Sequence, residues 1–145
     1  MRFEILSLAD AANNAPDGKL NVLGLGIRIV NVPGLPAGMP LAVLGSVSAG
    51  PAEAGDYDLD VRMVEPDGTE VPLAQGRSTV PAEVVEPRVP TGVGFVVGFG
   101  GPFRIEGLHV IRARFGKLVM DYEFVVRLQR APGSSAEAAA GEAAG

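Results

Sequence analysis

In KLVMDYEFVVRL, residues 117–128, every second side chain is apolar. Leu118, Met120, Tyr122, Phe124, Val126 and Leu128 fall on one side of an extended chain, with Asp121, Glu123 and Arg127 on the other. A period of two is the mark of a β-strand with one buried and one wet face, because successive Cβ atoms leave a pleated backbone in opposite directions. DYDLDVRMVE, residues 56–65, repeats the pattern: Tyr57, Leu59, Val61 and Met63 oppose Asp58, Asp60 and Arg62. One-sided strands belong to antiparallel sheets.

Further extended runs span residues 3–9, 20–32, 41–49, 71–73 with 77–80, 93–99 and 108–115, and no helical period competes with them. The links carry turn chemistry. Glu65-Pro66-Asp67-Gly68 places Pro and Gly where a tight turn wants a preset and a positive φ. Phe115-Gly116-Lys117 joins two alternating runs as a hairpin. Residues 31–40 form a proline-rich crossover, and residues 74–92, with Pro81, Pro87 and Pro90, a second crossing between sheets. The expected fold is all-β: an antiparallel β-sandwich, immunoglobulin-like in layout, of seven to eight strands. It occupies residues 1–130. Residues 131–145, APGSSAEAAAGEAAG, have nothing to bury and are expected to form a disordered tail.

The chain of 145 residues is long enough for one sizeable core. It has no cysteine, which excludes disulfides, thiolate nucleophiles, iron–sulfur clusters and Cys-ligated zinc. With Glu137 and Glu142 of the tail set aside, 12 basic and 15 acidic groups leave a net charge near −3. No run of Lys or Arg tracks a phosphate backbone, so nucleic acid is not an expected partner. Residues 29–52 carry no charge, but Pro33, Pro36 and Pro40 would interrupt the hydrogen bonding of a membrane helix. The apolar run of MRFEILSLAD is too short for a signal-peptide core, and the expected location is cytoplasmic.

Several stretches invite chemistry. AANNAPDGKLNVLGLG, residues 11–26, contains a Gly-x-Gly, yet a dinucleotide fingerprint needs its glycines between a strand and a helix. Here Leu23, Leu25, Ile27 and Ile29 alternate through Gly24 and Gly26, which places both inside a strand. GVGFVVGFGG, residues 92–101, fails the same test. Asp10, Asn13, Asn14 and Asp17 follow no calcium-loop spacing and read as a turn between two strands. The single histidine, His109, shares a strand face with Ile111, Ala113 and Phe115 and reads as structural. Arg112 and Arg114 are placed to pair across the hairpin with Asp121 or Glu123. Neither the serines nor the paired carboxylates Asp58 and Asp60 lie in a catalytic context. No catalytic residue, cofactor or metal is expected, and the chain is not expected to be an enzyme.

Glycine inside a strand often marks close approach of another backbone. On the run 20–32 the face opposite the expected core carries Gly24, Gly26 and Arg28; on 93–99 it carries Gly94, Val96 and Gly98. Such faces would form a smooth surface against a neighbouring subunit or a covering loop, with Leu35 and Met39 of the proline-rich crossover adding an apolar contact. The candidate interface is therefore Gly24, Gly26, Arg28, Leu35, Met39, Gly94 and Gly98.

Leu8-Ala9-Asp10, an Asn-rich spacer and then Asp17-Gly18-Lys19-Leu20-Asn21-Val22-Leu23-Gly24 resemble the opening of a family of small bacterial β-sandwich proteins of unknown function. The proline-rich 32–40 and the final GGPFRIEGLHVIRARFGKLVMDYEFVVRL are similar to its later segments, so the likeness spans residues 3–128. Gly26 and the Ala/Gly-rich tail depart from it. The resemblance implies the sandwich fold and brings no catalytic residue. The expected function is a non-catalytic module that self-associates or docks on a protein partner. The alternative is a sandwich that binds a small ligand or carbohydrate with loops at one end. Aromatic platforms would serve that role, but there is no Trp, and Tyr57 and Tyr122 both fall on expected core faces.

Overall fold

The alternating runs pair into ladders in the computed structural model, which describes residues 1–16, 19–82 and 88–129. The strands are β1 (Arg2–Ala9), β2 (Ala11–Asn14), β3 (Leu20–Leu23), β4 (Ile29–Val32), β5 (Leu41–Ala49), β6 (Gly55–Val64), β7 (Glu70–Val80), β8 (Thr91–Phe99), β9 (Gly107–Phe115) and β10 (Leu118–Leu128). A 3-10 turn at Pro51–Glu53 is the one helical element among the described residues. The smaller sheet has the order β1-β5-β8 and the larger β4-β10-β9-β6-β7, while β2 and β3 form a separate hairpin. Every pairing is antiparallel except that of β4 with β10. Among the described residues no helix is long and apolar enough to cross a membrane.

The two sheets meet over one apolar core. Leu6 and Leu8 of β1, Val43 of β5 and Phe95 of β8 face Val61, Met63, Ile111, Ala113, Phe124 and Val126 of the larger sheet. These are the alternate residues that the period of two selects, and their removal from water is the main force holding the sheets together. The 65–68 turn closes with Gly68 N–H donating to Glu65 O, 2.9 Å, and Thr69 N–H reaching Asp67 Oδ1, 3.0 Å. Gly116 and Lys117 alone separate β9 from β10, with Phe115 opposite Leu118.

Three expectations are corrected. Residues 20–32 are not one strand, and Gly24 and Gly26 do not lie inside one. Their φ angles of +68° and +87° turn the chain out of β3 and towards β4, a conformation open to glycine and costly for other residues. The alternation of Leu23, Leu25, Ile27 and Ile29 therefore buries nothing systematically: Leu23, Leu25 and Ile29 are exposed, and Val30 and Val32 enter the core instead. Secondly, β7 continues unbroken through residues 74–80, so the crossing to β8 begins only at Pro81. Thirdly, Tyr57 is half-buried at one end of the sandwich rather than in its core. Asp17, Gly18 and the tail from residue 130 lie outside the described residues.

Two details were not expected. Phe103, in the loop between β8 and β9, is fully buried and meets Phe99, Phe124 and His109 edge-on, while its backbone exchanges hydrogen bonds of 2.8 and 2.9 Å with Ala37. The proline-rich crossover is thereby pinned, and Leu35 and Met39 pack against the core. Secondly, the β2–β3 hairpin bends over the outer face of the smaller sheet at Asp10, and β2 runs close to β5 and β8. Leu44 and Ala42 on that outer face are buried, and Leu20 of the hairpin rests on Gly94, where a Cβ would come within 3.2 Å of it.

Candidate functional site

On the larger sheet the inward residues of β9 are His109, Ile111, Ala113 and Phe115, which leaves Leu108, Val110, Arg112 and Arg114 on the outside. The ladders place Val125 of β10 beside Leu108 and Ile29 of β4 beside Val125. Three apolar side chains thus lie in one row across three strands, on a face turned to solvent. Ile29 is 47% and Leu108 48% exposed. Val110 stands two residues along from Leu108, opposite Val64 of β6, and extends the row into an L-shaped patch. Isolated exposed aliphatic groups are ordinary; a contiguous set rimmed by polar groups marks a contact surface.

The other half of the same face is charged, and most of its charged groups pair with one another. Arg112 grips Asp121 with two hydrogen bonds of 2.9 and 3.0 Å, as the sequence expected of that cross-strand pair. Arg62 donates to Asp60, 2.9 Å, and to Glu70, 3.1 Å. Hydrogen bonds from these two guanidinium groups to their carboxylate partners hold them even more firmly in the charged form than usual. Pairs this open to solvent add little stability, but they leave few charges free to recruit an ionic ligand. Asp60 Oδ1 is buried without a partner, next to Arg114 in the ladder.

The seven residues expected at an interface occupy three separate places. Gly24, Gly26 and Arg28 lie in the connector between β3 and β4. Gly24 is held tight against the Asp10 carboxylate, and Gly26 donates to Leu8 O, 3.0 Å. Arg28 sits 3.9 Å over the Tyr122 ring and donates to Glu123 O, 2.8 Å, at the border of the apolar row. Tyr122 completes the clamp by donating to Ile27 O, 2.7 Å. Gly94 faces the chain's own hairpin, whereas Gly98 on the same outer face is open. Leu35 and Met39 turn to the core. Of the seven, Arg28 alone borders the row, which the sequence reading had missed. The available signal was that Leu108 and Val110 share a strand face with two arginines and so had to be outside.

No three His, Cys, Asp or Glu side chains among the described residues converge as metal ligands. Asn13 of the opening stretch instead accepts from Asn21 Nδ2 across the hairpin, 3.0 Å. His109 is buried between Phe103 and Phe124, its Nδ1 3.0 Å from Gly107 O and its Nε2 without a partner. At the far end of the sandwich a cleft of about 470 Å³ is walled by Tyr57, Asp56, Lys117 and Leu118. Tyr57 stacks on Phe115 at 5.5 Å and donates to Glu53 O, 2.6 Å. The Glu53 carboxylate is held below its ordinary pKa, first by the Met1 ammonium 2.7 Å away and then by the Gly50 N–H.

Residues 4–129 match a family of unknown function, DUF6941. No curated protein matches the chain.

Proposed function

The chain belongs to that family of unknown function, and for it we propose a non-catalytic protein-interaction module that docks a partner protein on the outer face of its larger sheet. The observation that carries the reading is the row Ile29–Val125–Leu108, apolar side chains held in register by three hydrogen-bonded strands, with Ile29 and Leu108 exposed and Val125 half-buried between them. Burying such a row against a partner releases the same hydrophobic free energy that drives folding, about 25 cal/mol for each Å² of apolar surface covered. The rigid ladder supplies the contact without further ordering of the backbone, which keeps the entropic cost of binding low. The neighbouring charged half, largely paired within itself, sets which surfaces are repelled.

An immunoglobulin-like layout is part of the proposal. Its support is the strand order: an antiparallel sheet of three strands and a mixed sheet of five, antiparallel but for β4 beside β10, the chain crossing between them from β4 to β5, β5 to β6, β7 to β8 and β8 to β9. The Tyr57 cleft supports a second reading, a small-ligand site at one end of the sandwich. A thermal-shift screen tests it, since a ligand bound only by the native state raises Tm.

The leading reading is tested by affinity capture from the native cell with the wild-type protein and with Leu108→Glu combined with Ile29→Glu. Both positions are solvent-exposed, so the variant keeps its circular dichroism and Tm. The expected result is a stoichiometric partner on the wild type that is absent from the variant. Equal recovery by both, or none by either, contradicts the proposal.

A further inference from the structure

Each edge of a β-sheet offers unpaired N–H and C=O groups, and proteins guard such edges with charge, proline, bulges or brevity. Three of the four edges of the two main sheets are guarded in this way. The strand β4 has only four residues. The β7 edge carries Glu70, Pro72 and Arg77, with a bulge opposite Val61 and Arg62. The β1 edge carries Arg2 and Glu4 with a bulge before Ile5, and its far end is occupied where Leu8 O accepts from Gly26 and Ile27. The β8 edge has none of these devices. TGVGFVVGF is nine residues long and contains neither a charge nor a proline. Among the described residues its backbone makes no hydrogen bond outside the ladder with β5.

The side chains of β8 tell the same story. Val93, Val97 and Phe99 point towards the core yet remain half-exposed, because no strand lies beyond them in the smaller sheet. Opposite, the sheet of three is narrower than the sheet of five, and the inward residues Val71, Leu73 and Ala74 of β7 are likewise only half-covered. One more strand beside β8 would cover both sets.

The sequence of β8 identifies that strand. Read outwards from Phe95, the residues are Gly94 and Val96, then Val93 and Val97, then Gly92 and Gly98. The segment is nearly palindromic, so an antiparallel copy of itself sets Val93 against Val97, Gly92 against Gly98, and Phe95 against Phe95. We infer that two copies of this chain pair through β8 about a two-fold axis at Phe95, joining their smaller sheets into one continuous sheet of six strands. Closed two-fold symmetry, in which the same surface patch of both copies meets itself, is the commonest form of self-association. Backbone hydrogen bonds supply affinity, and the like-with-like row supplies the register.

The inference goes beyond the docking reading: its partner is a second copy of the chain, seated on a surface separate from the Leu108 row. Gly92 and Gly98 are both exposed with open space where a Cβ would stand, so either accepts a side chain in the monomer. In the paired register each faces the other across the axis. The test is sedimentation equilibrium of the full chain as wild type, as Gly92→Glu/Gly98→Glu, and as Gly92→Lys/Gly98→Glu. The expected result is a wild-type species of twice the monomer mass and a dimer dissociation constant at least about tenfold weaker for the Glu/Glu variant than for the Lys/Glu variant, since directly opposed like charges are repelled and unlike ones attract. In the wild type, hydrogen exchange of the β8 amides must slow as protein concentration rises, a readout that needs no variant. A wild-type monomer at every concentration up to near-millimolar, equal dimerisation of the two variants, or β8 exchange independent of concentration overturns the inference. The Leu108→Glu/Ile29→Glu variant must dimerise like the wild type, so loss of partner capture and loss of dimerisation report separate failures.

Discussion

Gly45 of β5 lies opposite Phe95 of β8, and a Cβ there would fall 2.3 Å from the Phe95 ring. The ring occupies the space that a larger residue would need. Gly45→Ala is therefore expected to cost about 1–3 kcal/mol through overpacking, read as a lower urea midpoint at unchanged slope. Adding Phe95→Leu should recover part of the loss, which separates crowding from a general intolerance of the strand. A second residue-scale effect concerns pH. The Asp67 carboxylate is held below its ordinary pKa, chiefly by the Thr69 backbone N–H it accepts from. A depressed folded-state value contributes stability that is present above the unfolded pKa, near 4, and is lost as pH falls through the folded value. Glu4, bonded first to Ser48 and then to Arg2, and Glu53 act in the same direction. Urea midpoints measured from pH 6 down to pH 2 should fall. Asp67→Asn should flatten that fall and lower the plateau, and an unchanged acid limb in the variant would contradict the assignment.

At the scale of elements, the β2–β3 hairpin explains the composition of the sheet beneath it. Gly94 is small because the Leu20 side chain of the hairpin rests directly on it. Gly94→Leu should lift the hairpin, since overpacking by about 1 kcal/mol or more shifts a local opening equilibrium by roughly tenfold. Hydrogen exchange of residues 11–14 and 20–23 should accelerate accordingly while β9 and β10 keep their protection; uniform acceleration of all strands would show that the hairpin is no separate unit. The long strands were legible in the sequence because their alternation reports burial directly, as the β9 and β10 faces demonstrate. Residues 20–32 were not, because a period of two counts side chains and cannot see a backbone turned by two glycines of positive φ. Phe103 escaped for a related reason: a lone apolar residue in a Gly-Pro loop has no period, although its burial is as complete as that of any strand residue.

The whole molecule has two sheets of unequal width, and its exposed apolar groups follow from that inequality. The larger sheet turns the row Ile29–Val125–Leu108 outward, and the smaller leaves the outer edge of β8 without a strand paired to it. The sequence revealed the sandwich but not these surfaces, since whether an apolar side chain is covered depends on which sheet its strand joins. The central claim is that the outer row of the larger sheet, rather than the charged half beside it, meets a protein partner. Leu108 and Arg114 stand on the outer side of the same strand, one in each half. A photo-crosslinking side chain placed at either position in the native cell distinguishes the two halves directly. The account predicts a discrete protein adduct from position 108 and none from position 114; adducts of equal yield from both, or from 114 alone, would contradict it.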